Sequence, residues 1–284
     1  MVQLLNLRGA LAVAGTLGRA VHRVHAKKPS PADVARLFGG RLPVPPDIIA
    51  RDMSGLRYQN RLLVSIPQRR RSGLLAPHLD PLSLERLKAT VSGSPGILLT
   101  WHVGPPFGLL AAFRRLDLDV LVLRRTLEDE TPSTSGVAAV DRGPHARTRA
   151  VARALAQLEN GSLVAIAGDG RQSGKTLSSP CLGRAARMAR GPFALARISG
   201  APIIPMLARW DDDGWMRITV GPRLRGEGTG RVLESSLAAE AGRWLENYLL
   251  ASPGQLRRCS LRRLLRWPTV EETRAGDAPD GTCR

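Results

Sequence analysis

Apolar runs that alternate with helix-like segments constrain the fold of this 284-residue chain more than any other feature. The runs rich in aliphatic residues are 97–102, 119–124, 162–167 and 202–209. Segments with helical spacing of apolar side chains lie between them, at 107–115, 148–159 and 191–198. Short apolar strands separated by amphipathic helices are typical of a parallel sheet covered on both faces. The sequence therefore predicts a single α/β domain with a mostly parallel central sheet, and a fifth, antiparallel strand at 215–220.

Two titratable residues follow strands of the predicted sheet. His102 ends the first run, just before Gly104, and Asp169 follows the run at 162–167 between two glycines. Ligands of α/β proteins bind outside the carboxyl ends of the strands, so His102 is a candidate general base. A structural role for the imidazole is equally compatible with this position. Asp169 is either a partner of the imidazole or a residue that forms the turn.

The charge of the chain predicts anionic partners. Lys and Arg number 42 against 24 Asp and Glu, which gives a net charge of +18. Phosphate-bearing substrates, an acidic membrane surface and nucleic acid are the partners that such a charge attracts, although an arginine-rich genome composition produces the same excess. Aromatic residues make up only 4% of the chain, and no zinc-finger, helix-turn-helix or RNP pattern is present. Nucleic acid is therefore not expected as a partner.

The cysteines and the N-terminal segment limit the class of protein further. Cys181, Cys259 and Cys283 lie far apart without CxxC spacing, so neither a zinc site nor a disulfide framework is expected. Only ten residues separate Arg8 from Arg19, whereas a membrane-spanning helix needs about 20 apolar residues.

The predicted organisation has three parts. Residues 1–28 are expected to form an amphipathic helix that lies on a membrane surface, or else packs on its own domain. Residues 29–268 form the α/β domain, and residues 269–284 a disordered tail.

Four segments, spread over about two thirds of the chain, resemble a known family in their order and spacing. They are ILLTWHVG at 97–104, LENGSLVAIAGD at 158–169, LGRAA with GPFALA and GAPIIP within 182–205, and SPGQL with RW within 252–267. Together they resemble the lysophospholipid acyltransferase superfamily, in particular its branch of late lipid A acyltransferases. The resemblance implies the glycerol-phosphate/lipid A acyltransferase-like α/β fold.

The resemblance also implies an activity and a set of site residues. The expected reaction moves a fatty acyl group from an acyl-CoA or acyl-carrier-protein thioester to a lipid or glycolipid hydroxyl, with no metal and no cofactor beyond the thioester co-substrate. The expected location is peripheral, on the cytoplasmic face of a bacterial inner membrane. His102 would act as general base, and backbone N–H groups either after Gly104 or near Gly191 would stabilise the oxyanion. The arginines expected to bind phosphate, each of which is alternatively a surface charge, are Arg124, Arg142, Arg171 and Arg184.

One position departs from the family pattern. The family places a carboxylate five residues after the histidine, and Phe107 occupies that position here. A carboxylate there fixes the imidazole tautomer and stabilises the imidazolium. Either Asp169 orients His102 instead, or the enzyme is slow or uses a substrate group. The remaining alternative is a noncatalytic lipid-binding protein of the same fold.

Overall fold

The computed structural model describes residues 2–23, 28–42, 44–66, 73–105, 107–125, 137–140, 145–169, 175–211 and 213–269. Its strands are β1 (Gly96–Thr100), β2 (Val120–Arg125), β3 (Val137–Val140), β4 (Leu163–Ala167), β5 (Thr176–Cys181), β6 (Arg184–Ala189), β7 (Ile203–Trp210) and β8 (Met216–Val220). Six of them form the central sheet in the order β3-β2-β4-β1-β7-β8. All neighbours in this sheet are parallel except β7 and β8, which are antiparallel. The predicted α/β class with a mostly parallel sheet is confirmed.

Helices cover both faces of the sheet. They are α1 (Val2–Ala20), α2 (Pro31–Phe38), α3 (Pro46–Ser65), α4 (Pro81–Val91), α5 (Gly108–Arg115), α6 (Ala146–Glu159), α7 (Gly191–Ser199), α8 (Gly230–Ala251) and α9 (Arg258–Leu265). Successive residues of β1 enter opposite cores, because side chains alternate along a strand. Ile97 and Leu99 join the cluster that includes α6, α7 and α8, whereas Leu98 joins the cluster that includes α4 and α5. Each of these buried aliphatic side chains stabilises the fold by about 1.5–3 kcal/mol.

The strands that the sequence did not predict are β3 and the separate hairpin of β5 and β6. The hairpin strands read TLSSPC and RAARMA, so they carry few of the branched and aromatic residues that favour strands. Pairing of the two strands with each other, rather than an apolar run, defines this element.

The N-terminal helix α1 packs against α3 at glycine positions. A Cβ atom on Gly18 would lie only 2.7 Å from the carbonyl oxygen of Ser54, so the two backbones approach closely there. Just beyond α1, Nδ1 of His22 lies 2.7 Å from Oγ of Ser54, and both side chains are buried. The opposite side of α1 exposes Val13 and Leu17, which are 66% and 50% exposed. Among the helices described here, none combines the length and apolar character needed to cross a bilayer.

A buried carboxylate joins α7 to α8. Glu234, on α8, is fully buried, and its Oε1 accepts hydrogen bonds from Nη2 of Arg190 at 3.0 Å and from Nε of Arg197 at 2.8 Å. The hydrogen bond from Arg190 is the largest factor that lowers the pKa of Glu234 below its ordinary value. The carboxylate stays ionised although it is buried, because its attraction to both guanidinium groups compensates the free-energy cost of desolvation.

Candidate active site

His102 and Asp169 form a hydrogen-bonded pair at the carboxyl edge of the sheet. β1 and β4 are neighbouring parallel strands with Thr100 opposite Ala167, so the residue two positions after each strand reaches the same place. Nδ1 of His102 lies 2.7 Å from Oδ1 of Asp169, and Oδ2 accepts the backbone N–H of His102 at 3.2 Å. The histidine side chain is 55% exposed, whereas that of Asp169 is only 9% exposed. The carboxylate therefore holds Nδ1, and Nε2 is the ring nitrogen that can exchange a proton with a ligand.

The turn after His102 requires a glycine. Gly104 has a φ angle of 69°, in the left-handed region that L side chains rarely adopt. A Cβ atom at this position would lie 2.0 Å from the carbonyl oxygen of Ala208 on β7. The absence of a side chain thus lets the histidine turn lie directly against the neighbouring strand.

Residues of the C-terminal segment hold the same turn. The backbone N–H of Gly104 donates to the carbonyl of Gln255 at 2.8 Å, and Nε of Arg257 donates to the carbonyl of Gly104 at 3.0 Å. Oγ of Ser260 donates to the carbonyl of His102 at 2.9 Å. These hydrogen bonds fix the backbone from the carbonyl of the histidine to that of Gly104, as a site that needs a fixed base requires.

Gln255 also ties this segment to the sheet. Its side-chain amide donates to the carbonyl of Trp210 at 3.0 Å and accepts the backbone N–H of Trp210 at 3.2 Å. The side chain thereby continues the hydrogen bonding of β7 at its end. The SPGQL sequence at 252–256 therefore has a physical role in the site, which the spacing of the sequence alone did not reveal.

A cavity of about 970 Å³ opens beside His102. This volume is at the upper end of the range of about 300–1,000 Å³ that is typical of small-molecule sites. Its apolar lining residues are Met53, Leu56, Val64, Trp101, Val103, Pro105, Phe107, Leu109, Leu110, Phe113, Val122, Leu123, Ala165, Ile166, Ala167 and Ala208. Such a lining suits a hydrocarbon chain, because burial of apolar surface is favourable in proportion to its area.

The polar part of the lining contains Asn60, Thr100, His102 and a group of arginines, which we call the arginine rim. The rim consists of Arg57, Arg61, Arg257, Arg258 and Arg262. Arg57 and Arg61 are one turn apart on α3, and Arg258 and Arg262 are one turn apart on α9. Burial and the positive charges of Arg262 and Arg57 lower the pKa of Arg258, and Asp33 on α2 partly offsets them.

Of the four arginines that the sequence singled out, Arg184 is the one whose side chain the structure describes. Nη1 of Arg184 donates to the carbonyls of Leu265 and Trp267, so this guanidinium anchors the end of the C-terminal segment. Arg124 belongs to β2, but its side chain is not described, and Arg142 and Arg171 lie outside the described residues. Gly191 is the first residue of α7 and is not among the lining residues of the cavity. The spacing of the arginines on α3 and α9 marks two pairs in the sequence, but it does not show that the two pairs line one cavity.

Phe107 contributes to the cavity rather than to the histidine. It has a φ angle of 70°, an uncommon conformation for a bulky residue, and its side chain is part of the lining. The carboxylate that contacts the imidazole comes from β4, not from the turn after β1. Within the part of the chain that the structure describes, no group of three or more His, Cys, Asp or Glu residues is placed to hold a metal ion.

Comparison of this chain with models of known protein families and with curated proteins gives no match. A function for the site therefore has to be inferred from its geometry and its chemistry.

Proposed function

We propose that this protein is an acyltransferase that moves a fatty acyl group from an acyl-CoA or acyl-carrier-protein thioester to a hydroxyl of a lipid or glycolipid. The observation that carries the proposal is the His102–Asp169 pair, 2.7 Å apart, beside a cavity of about 970 Å³. A base held by a carboxylate suits proton abstraction from an alcohol, and an apolar cavity suits a fatty chain. The resemblance of the histidine, aspartate and glycine-arginine segments to the acyltransferase family supports the same reaction.

The proposed mechanism begins with His102. Its Nε2 removes the proton of the acceptor hydroxyl while the hydroxyl oxygen attacks the thioester carbonyl carbon. The tetrahedral intermediate collapses, the carbon–sulfur bond breaks, and the imidazolium returns the proton to the departing thiolate. Asp169 keeps the proton of the neutral imidazole on Nδ1 and stabilises the imidazolium by its charge, as the carboxylate of a catalytic triad does.

The proposed location is the surface of an anionic membrane, at the cytoplasmic face of a bacterial inner membrane. The exposed Val13 and Leu17 of α1 offer an apolar contact, and the net charge of +18 favours an anionic leaflet. Each well-placed basic side chain adds about 1 kcal/mol to such binding. Co-sedimentation with liposomes of zwitterionic lipid, with and without added anionic lipid, tests this location. Binding that requires the anionic lipid and weakens in high salt is expected, and indifference to both would contradict it.

The test of the reaction is turnover with labelled acyl-CoA and labelled acyl-carrier protein against a panel of hydroxyl-bearing lipids. His102→Ala is expected to lower turnover by about 10²- to 10⁴-fold, the usual contribution of a general base. His145→Ala changes an exposed histidine at the start of α6 and serves as the matched control. Undiminished turnover of His102→Ala would contradict the proposal. Absence of turnover in the unaltered protein, with liposome binding retained, would instead favour a noncatalytic lipid-binding protein.

A further inference from the structure

Asn60, on α3, places a side-chain amide against the turn that follows His102. Its Nδ2 donates to the carbonyl of Gly104 at 3.4 Å, and the same oxygen accepts a hydrogen bond from Nε of Arg257 at 3.0 Å. Because a carbonyl only accepts hydrogen bonds, the amide presents its nitrogen to Gly104, and Oδ1 is turned away from it. Asn60 is also a lining residue of the cavity beside His102.

Oδ1 of Asn60 is buried, and no hydrogen-bond donor lies within reach of it among the residues that the structure describes. Buried polar atoms are nearly always paired, because an unpaired acceptor gives up its hydration without compensation. The hydrogen bond from Nδ2 to Gly104 is long, and Arg257 already pairs with that carbonyl, so the amide can turn toward a ligand at small cost. A ligand that pairs with Oδ1 has to offer an O–H or N–H group.

The cavity offers few other acceptors to such a group. None of the described lining residues carries a carboxylate, and the guanidinium groups of the rim only donate. Among the described lining side chains, nitrogen or oxygen acceptors are present on Asn60, Thr100 and His102. Of these three residues, Asn60 is the one whose acceptor is buried without a partner. A hydroxyl that enters the cavity beside the histidine therefore finds its open acceptor at Asn60.

We propose that Asn60 determines the specificity for the acyl acceptor. Its Oδ1 accepts a hydrogen bond from a second hydroxyl that neighbours the reacting one, so the site prefers the vicinal diol of a glycerol or sugar unit to an isolated alcohol. This inference rests on the proposed function, in which Nε2 of His102 takes the single proton of the reacting hydroxyl. That hydroxyl has no proton left for Asn60. The Cα atoms of His102 and Gly104 are at most about 7.6 Å apart, so a group bound at Asn60 lies near the reacting one.

Binding is tested with ligands that carry no thioester, so the result does not depend on turnover. Isothermal titration calorimetry compares 1-O-dodecylglycerol, a vicinal diol, with 1-dodecyloxypropan-2-ol and 3-dodecyloxypropan-1-ol, each of which lacks one of its two hydroxyls. The measured quantity is the dissociation constant of the tighter-binding mono-alcohol divided by that of the diol. We expect a ratio of about ten, because a mono-alcohol leaves a buried acceptor unpaired. Equal affinity for the diol and the mono-alcohol would overturn the proposal.

Substitution of Asn60 provides the second test. Asn60→Leu removes the amide and is expected to lower the ratio about tenfold, to near one. Gln59→Leu removes the neighbouring amide of α3, which donates to the carbonyl of Leu11 instead, and is expected to keep the ratio. Because the ratio compares two ligands on one variant, a general loss of affinity cancels. An unchanged ratio in Asn60→Leu would mean that water rather than the ligand pairs with Oδ1, and it would overturn the proposal.

A purely structural role of Asn60 through Gly104 is tested by Asn60→Asp. This variant keeps an acceptor oxygen and loses the Nδ2 donor, so the diol preference is expected to persist. Loss of the preference in both Asn60→Asp and Asn60→Leu would assign the effect to the hydrogen bond with Gly104 and overturn the proposal.

The thioester donor is the other source of a hydrogen-bond donor, because its pantetheine arm carries amide N–H groups. S-Dodecylpantetheine, a thioether that transfers no acyl group, is the probe for this alternative. We expect it to bind equally to the unaltered protein and to Asn60→Leu. A tenfold loss in the variant, with an unchanged diol ratio, would assign Oδ1 to the thioester donor and overturn the assignment to the acceptor.

Turnover separates this inference from the proposed function. Equal turnover of diol and mono-alcohol acceptors, lost in His102→Ala, would refute the inference and leave the proposed function standing. A diol preference in binding without any turnover would refute the reaction and leave Asn60 as a residue that binds a diol.

Discussion

Nδ1 of His102 lies 2.7 Å from Oδ1 of Asp169, although the two residues are 67 positions apart in the chain. In the family that the sequence resembles, the carboxylate follows the histidine by five positions in the same turn. Here the neighbouring strand β4 brings a carboxylate to the same nitrogen, while Phe107 lines the cavity. This arrangement supplies the hydrogen bond that an orienting carboxylate would make.

Replacement of the carboxylate tests this relationship. Asp169→Asn is expected to lower kcat by about 10³- to 10⁴-fold, because an amide neither fixes the tautomer nor stabilises the imidazolium. Steady-state turnover measures the effect, and circular dichroism checks that the fold is retained. Asp117→Asn alters an exposed aspartate in the left-handed region, where Asn is equally tolerated, and is expected to keep full activity. Equal activity of the two variants would refute an orienting role for Asp169.

Substitution of Gly104 tests the close approach of the histidine turn to β7. Gly104 and Gly183 have similar φ angles of 69° and 71°, but only at Gly104 would a Cβ atom meet another group, the carbonyl of Ala208. Gly183→Ala is expected to cost about 1–2 kcal/mol from backbone strain alone. Gly104→Ala is expected to cost at least about 2 kcal/mol more and to lower turnover, because the turn must move. Urea unfolding gives the free energy of unfolding of both variants. Equal losses of stability would show that the turn relieves the clash with Ala208 without an energetic cost.

Glu234 links the stability of the protein to acidic pH. Its pKa is lowered mainly by the hydrogen bond from Arg190, so its contribution to stability is present above its unfolded pKa and is lost as pH falls through the folded value. Glu234→Gln is expected to cost about 3–5 kcal/mol at neutral pH, because two guanidinium groups lose their buried partner. Glu85→Gln, at an exposed position of α4, is the control. Chemical denaturation from neutral to acidic pH should show the stabilities of the unaltered protein and Glu234→Gln converging as pH falls.

His22 adds a second pH dependence, at higher pH. Burial is the largest factor that lowers its pKa from 6.5, and the charges of Lys28 and Arg51 act in the same direction, whereas Asp47 opposes them. The unfolded chain therefore binds more protons at this position, and the free energy of unfolding falls as pH decreases below about 6.5. Denaturation midpoints across this range should show the slope in the unaltered protein and a smaller slope in His22→Asn. His145→Asn, which changes an exposed histidine, should keep the slope, and identical profiles in all three would contradict the assignment to His22.

The sequence predicted the sheet well because its strands are apolar and its connections are helical. The runs at 97–102, 119–124, 162–167, 202–209 and 215–220 correspond to β1, β2, β4, β7 and β8. The rule that parallel strands present their carboxyl ends at one edge also predicts that His102 and Asp169 lie at the same edge of the sheet. Such strands can be recognised in a sequence because burial on both faces makes them nearly continuous apolar runs.

The arginine rim could not be predicted, because no local pattern encodes it. Arg57 and Arg61 lie on α3 near the beginning of the chain, and Arg258 and Arg262 lie on α9 near its end. Only the packing of distant segments places these side chains around one cavity. In a chain so rich in arginine, the sequence does not distinguish an arginine of the site from a structural one. Arg184, which the sequence singled out, instead donates hydrogen bonds to the carbonyls of Leu265 and Trp267.

Because Thr100 lies opposite Ala167, formation of the site depends on the register of β1 and β4. The acid and the base are carried by different strands, so neither the β1 peptide nor the β4 peptide holds a reactive pair in isolation. A shift of one residue in either strand would turn the side chains of that strand to the opposite face of the sheet and separate the two groups. Enzymatic turnover would then serve as a direct assay for correct strand alignment during refolding.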